Sequence, residues 1–252
     1  FALIEVNDNP IDIYWKNRPK AKNEKAILLE HKFTGQTSQE KRTELGDIIK
    51  SNKCDSAFIT KLDSIAWLLN IRGNDIPCNP VLLCHGLLHS DSSFDLFIDN
   101  DKIPKGFNQH VGPNVNIYNP SEISKKLQLY KGKKIQLDEN QSNVWSQTLI
   151  TNAGARAVNQ IDPCILPKAC KNITEINGMK KCHIRDAVAV CKFLAWLDNE
   201  VKLGNLLDES ILSNKLDSYR SELKMFRGIS FGTISAAGKN AAMCHYNHKN
   251  QE

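Results

Sequence analysis

Apolar and polar positions keep two different rhythms along the chain. From about Lys25 to Gln160, short apolar runs alternate with amphipathic stretches. "KAILLE" reads as a strand, and "SQEKRTELGDIIKSN" spaces Leu45, Ile48 and Ile49 as one helix face would. "SAFIT" predicts a second strand; Asp63 then caps a short helix "SIAWLLN", which the glycine of "IRG" helps to end. "PVLLCHGLL" and "FDLFID" predict a hairpin across the polar turn "HSDSS". The segment "NVNIYN", a helix from "PSEISKKLQLY", the strand "KKIQLD" and a helix from "SNVWSQTLI" follow. Strands and helices in alternation predict an α/β domain with a mixed sheet.

"IDPCILPKACKN" has two prolines in five residues and no amphipathic period, and reads as a linker. Beyond it the rhythm becomes helical. Asn172, with Glu175 three residues on, forms a capping-box start. Ile176, Met179, His183, Ala187, Val190, Leu194, Leu197 and Val201 then recur at three- and four-residue steps until Gly204. A second amphipathic helix from Asp208 carries Leu212, Leu216, Tyr219 and Leu223. Two helices cannot bury such stripes alone, and "ISFGTISAAGKNAAMCHY" is too little to cover them. The second domain reads as unfinished.

Composition changes this picture little. Hydrophobic residues are 41% and charged residues 24% of 252, close to the averages of soluble globular proteins. No eighteen-residue apolar run suggests a membrane span. The opening "FALIEVNDNP" has neither an initiator Met nor a signal-like core, so the chain reads as starting mid-protein. A net charge of +5 comes from scattered lysines, and aromatics are only 7%, which argues for a solvated surface and against nucleic acid as a partner. The eight cysteines, at 54, 78, 84, 164, 170, 182, 191 and 244, form no CxxC motif and no metal-ligand spacing. Those in apolar company, as in "DAVAVCKFLAW", read as reduced structural thiols of a cytoplasmic protein, where the sequons at Asn140 and Asn172 carry no meaning.

Candidate chemistry gathers in "FGTISAAGKNAAMCHY", Phe231 to Tyr246. Its spacing is not that of a phosphate loop. Gly238 and Asn240, which tolerate positive φ, suit a turn that brings His245 inward. Adjacent residues of an extended segment point to opposite sides, so Cys244 and His245 do not make a nucleophile–base pair. His183, on the apolar stripe, reads as a packed core or interface histidine, and His248, in the polar tail, has no assigned role. Arg72 and Asp75 of "IRGND" read as a local ion pair in a structural turn.

Four stretches carry a resemblance. "LDSIAWLLNIRGNDIPCNPVLL" resembles the middle domain of cytosolic three-domain Xaa-Pro aminopeptidases, of the creatinase-like M24 family. "NGMKKCHIRDAVAVCKFLAWLDNEV" is similar to the first long helix of that family's pita-bread catalytic domain, and "SFGTISAAGKNAAMCHY" to the segment after it, ending in a His-Tyr pair. "NPIDIYWKNRPK" resembles the passage into the middle domain. The resemblance implies a remnant N-terminal domain at 1–18, a middle creatinase-like α/β domain at 19–163 and an incomplete pita-bread domain at 164–252. It implies a hydrolase that removes the first residue of peptides with proline second, as a homodimer, using two divalent metal ions, manganese in the usual case. His245 falls at the family's histidine near the metals, a catalytic and substrate-binding position. The five family metal ligands, two Asp, one His and two Glu, are expected downstream of residue 252, so the chain taken alone is expected to be inactive. "AAMCHY" departs from the family in having Met-Cys where aliphatic residues are more usual. Creatinase and prolidase share the architecture, but "IAWL.N.RG" favours the aminopeptidase; a metal-free peptide- or protein-binding relative is the alternative.

Overall fold

The computed structural model describes residues 6, 9–19, 23–205 and 207–250, so residues 1–5, 7 and 8 of the expected N-terminal remnant lie outside the described residues. Helix α1 (Pro10–Tyr14) is capped by Asn9, whose Oδ1 accepts from the Ile11 amide at 3.0 Å. The chain continues through β1 (Ile27–Leu28), α2 (His31–Thr34), α3 (Ser38–Ser51), β2 (Ser56–Ile59), α4 (Leu62–Leu68) and β3 (Ile71–Arg72). Strands β4 (His85–His89) and β5 (Phe94–Phe97) form the expected hairpin, with Ser92 at φ 72° in its turn. Then come α5 (Phe107–Val111), β6 (Val115–Tyr118), α6 (Ile123–Leu127), β7 (Lys134–Leu137), α7 (Val144–Asn152) and β8 (Arg156–Asn159). The last α-helices are α8 (Ile165–Ala169), α9 (Ile173–Lys202) and α10 (Glu209–Ser221). No described helix is long and apolar enough to cross a membrane.

The α/β expectation is met. Six strands form one mixed sheet in the order β6-β5-β4-β2-β7-β8, and β1 pairs with β3 separately. β4 runs antiparallel to β2 and β5, while β5–β6, β2–β7 and β7–β8 are parallel. Successive side chains of a strand face opposite ways, and here both faces are covered. Ala57, Ile59, Leu88, Phe94 and Leu96 join Leu45 and Ile49 of α3 in one core cluster. Phe58, Leu87, Phe97, Ile135 and Leu137 join Ile123, Leu127 and Ile150 in the other. This is why "SAFI" and "FDLF" are buried throughout, and why their patterns run almost unbroken in apolar residues.

Helix α3 carries two buried cations, Lys41 and Arg42, each 1% exposed. Lys41 Nζ donates to the Trp67 carbonyl at 2.9 Å and to Asn70 Oδ1 at 2.7 Å, and lies 4.2 Å from the Trp67 ring centroid. Burial depresses its pKa to about 8, because removing water penalises the ammonium. Arg42 donates to the carbonyls of Ser92, Val111 and Pro113 at 2.6 to 3.0 Å, pinning the hairpin turn and the end of α5 to the helix.

Four local expectations are corrected. Lys61, not Asp63, precedes α4 as its N-cap; Asp63 falls inside the first turn and pairs with Lys168. The chain leaves α4 through Asn70, at φ 54°, rather than through Gly73, since Asn also tolerates the left-handed region. Arg72 and Asp75 do not pair. Arg72 donates to the carbonyls of Ala66 and Ile71, while Asp75 takes Lys102 Nζ and the Leu83 amide, each at 2.6 Å. Finally, the supposed linker contains α8, and Cys164 beside it is fully buried in the core. Pro167 fits there because the amides of a first helical turn need no intrahelical acceptor.

Candidate active-site loop

The candidate site hangs from α9, which spans thirty residues as its periodicity predicts. Its capping box is closed in both directions: Asn172 Oδ1 accepts the Glu175 amide at 2.9 Å, and Glu175 Oε2 accepts the Asn172 amide at 3.0 Å. The same Asn172 donates through Nδ2 to the Thr34 carbonyl at 2.8 Å, fastening the helix start to the end of α2. Gly35, at φ 66°, makes this approach possible; a Cβ there would come within 2.7 Å of Thr174 and 2.8 Å of Asn172 Oδ1. Helix α10 packs back on α9 and is held by a two-pronged pair, Arg220 Nε and Nη2 on Asp186 at 2.8 and 3.1 Å.

His183 does not sit in a core. It is exposed on α9 and borders a groove of about 560 Å³ between that helix and residues 223–230, because the face carrying it is not covered by another described element. The "IRGNDIPCNP" turn also meets the second part of the chain. Asn74, Ile76, Cys78, Asn79 and Pro80 line a cavity of about 400 Å³ with Arg227 to Ser230.

After α10 the chain forms no strand among the described residues, although Phe231–Tyr246 reads from sequence as extended on either side of its turn. A strand needs a partner edge, and the described elements offer none there. Instead a 3₁₀ turn, Gly238–Ala242, follows Ala237, with Gly238 at φ 54°. His245 is exposed, and its backbone is left-handed at φ 55°, so the extended path assumed for Cys244 and His245 does not hold at the histidine. Tyr246 beside it is 6% exposed.

The anchor of this loop is Glu209, the first residue of α10. Its carboxylate accepts from the Ala237 amide at 2.6 Å, from Asn240 Nδ2 at 3.2 and 3.3 Å, and from the Tyr246 hydroxyl at 2.5 Å. Asn240 Nδ2 also donates to that hydroxyl at 3.0 Å. The Tyr246 bond is the chief cause that holds the Glu209 carboxyl below its usual pKa, and it pushes the Tyr246 phenol up to about 12. Asp208 caps the helix through the Ile211 amide at 2.7 Å. His248, given no role from sequence, is 7% exposed against this end of α10, with neither ring nitrogen partnered among the described residues.

Of the turn singled out from sequence, Gly238 takes positive φ, while Asn240 acts through its side chain and His245 is exposed rather than turned inward; Glu209, whose only sign was its place after the capping Asp208, was missed. The arrangement presents an exposed imidazole able to donate or accept one proton, on a loop fixed at both ends. Among the described residues, no three His, Cys, Asp or Glu side chains are grouped to hold a metal ion.

Residues 17–175 match the Creatinase/Prolidase N-terminal domain family, and residues 177–252 match metallopeptidase family M24. The probable Xaa-Pro aminopeptidase P of Paracoccidioides brasiliensis is 36% identical over 97% of this chain, and that of Ajellomyces dermatitidis 37% over the same share. This chain spans about two fifths (42%) of the length of those curated relatives. X-prolyl aminopeptidase from Caenorhabditis elegans, a cytosolic enzyme with a di-nuclear active site, superposes on 96% of this chain and 40% of its own, with a TM-score of 0.89 at 31% identity. Xaa-Pro dipeptidase from Bacillus anthracis shares the fold over 73% of this chain and 48% of its own, with a TM-score of 0.55 at 15% identity. With well over half of its residues in the first match, and the remainder continuing directly into the second, the chain belongs to the creatinase/prolidase family and carries an M24 metallopeptidase segment behind its N-terminal domain.

Proposed function

We propose that this chain is part of an Xaa-Pro aminopeptidase, a hydrolase that releases the N-terminal residue from peptides with proline in second position. The observation that carries the reading is the superposition of nearly the whole chain, at 0.89, on the X-prolyl aminopeptidase of Caenorhabditis elegans. On this reading the division lies at 1–18, 19–163 and 164–252, the protein is cytoplasmic, and it works as a homodimer. His245 contacts the substrate or shuttles a proton at the cleft. Its exposure and its placement on an anchored loop support that role.

Two divalent metals, manganese in the family's usual case, belong to the same reading, and the di-nuclear site of the Caenorhabditis elegans enzyme supports it. Such a pair supplies an activated water and polarises the scissile carbonyl. The described residues do not fit that centre, since none are grouped to ligate a metal. No step through the metals is therefore assigned to this chain.

The test is manganese-dependent release of arginine from an Arg-Pro-Pro peptide by the purified protein, with the intact mass measured on the same sample. Release that needs metal and is lost with Arg-Ala-Pro supports the proposal. Absence of release with manganese, cobalt or zinc from a sample whose mass is well above 28.4 kDa, combined with peptide binding, would replace it by the non-catalytic relative.

A further inference from the structure

We infer that Glu209 is a positioning residue for His245. The inference rests on the reading of His245 as the cleft histidine, but its geometry is independent of that reading. Glu209 is fixed in space by being the first residue of α10, directly after the capping Asp208, while α10 itself is tied to α9 through Arg220 and Asp186. From there its carboxylate reaches three points of the following loop. These are the Ala237 amide before the 3₁₀ turn, the Asn240 side chain within it, and the Tyr246 hydroxyl just past His245. His245 is thus strung between Asn240 and Tyr246, both held by one carboxylate.

A histidine at φ 55° is held against its intrinsic preference for negative φ. Something must over-determine that conformation, and the side chain of His245 is exposed and cannot do so. Tyr246 is the neighbour that can. Its ring is buried, its hydroxyl donates to Glu209 and accepts from Asn240, and so both the direction and the depth of the residue after His245 are set. Carboxylate acceptors make the stronger class of hydrogen bond, and a neutral amide cannot reproduce all three contacts.

The experiment uses the 252-residue chain, ¹³C/¹⁵N-labelled, as wild type, Glu209→Gln and Tyr246→Phe. In the wild type, His245 shows the ¹³Cα shift of a left-handed residue, the Ala237 amide is protected from exchange, and the assigned Tyr246 phenol, like that of Tyr130, titrates near 12. In Glu209→Gln, Ala237 protection falls at least tenfold, Tyr246 returns towards 10 while Tyr130 does not, and His245 moves to an averaged shift, while the middle-domain resonances stay put. A merely fold-supporting role would not move the His245 signature alone. If Glu209→Gln disrupts α10, Tyr246→Phe decides: the same shift of His245 upholds the inference. An unchanged His245 in either folded variant overturns it. Peptide release is scored separately, so failure of the aminopeptidase reading and failure of the positioning role give different results.

Discussion

Lys41 shows how a single residue can escape its sequence context. In "SQEKRTEL" it reads as a surface lysine, yet its ammonium is buried on Trp67 and Asn70, residues it meets only after folding. Its folded pKa of about 8 lies below the usual 10.5, so the fold carries the full burial penalty below pH 8. Between pH 8 and 10.5 the unfolded chain binds the extra proton, and stability rises with pH by about 3 kcal/mol from this group. Lys41→Met should flatten that rise when urea unfolding is followed across the same pH range. Cysteines give a second prediction at this scale. Cys54, Cys84 and Cys164 are buried, with the Cys84 thiol pushed up to about 12, whereas Cys78, Cys170, Cys182, Cys191 and Cys244 are exposed. Iodoacetamide on the native protein should label those five, and the buried three only in denaturant, as read by peptide mass spectrometry. Cys191 was expected to be packed from its apolar neighbours; its helix face is not covered.

Elements were legible where the determining signal is local. Helices α3 and α9 follow their own periodicity and their own capping boxes, and both lie where the pattern puts them. Strand β8 was not legible, because "RAVN" has two partly buried apolar residues and is specified by its pairing with β7. Nor was α8, where Pro163 before the helix and Pro167 within it mask a short helix beside the buried Cys164. The left-handed His245 and the missing strand before it depend on the distant Glu209 and on the lack of a partner edge, neither of which a window of sequence contains. The α9 cap allows a direct test. Asn172→Ala should cost about 0.5 to 2 kcal/mol, since it removes the acceptor for the Glu175 amide and also leaves the Thr34 carbonyl without its donor. The expected readout is a lower urea midpoint with an unchanged slope. Gly35→Ala should be worse, because it adds strain at positive φ to a collision with Thr174.

Over the whole molecule, burial is unevenly divided. The two core clusters belong to the sheet and the elements packed around it, whereas α9 has Ala189 and α10 has Ser213 as their buried residues among those described. Local opening follows such differences in buried contact. Native-state hydrogen exchange should therefore find amides of β2, β4 and β5 protected at least a hundredfold more than those of the second half of α9. The fold class could be read from alternating elements, but the family could not. That depended on motif stretches such as "IAWLLNIRGNDIPCNP", whose first half packs Ile65, Trp67, Leu68 and Leu69 into the core while its second half forms a loop, a pairing that periodicity alone does not single out.

The junction at Asn172 and Gly35 has a mechanical consequence. Helix α9 is a rigid rod of thirty residues, about 45 Å long at 1.5 Å per residue, clamped at its first turn. A rod held this way multiplies angle into distance: tilting it by ~5° at the clamp sweeps Lys202 through about 4 Å. Small residues at the clamp, glycine above all, thus set the aim of everything α9 carries, including the return helix and the histidine loop that hangs from it.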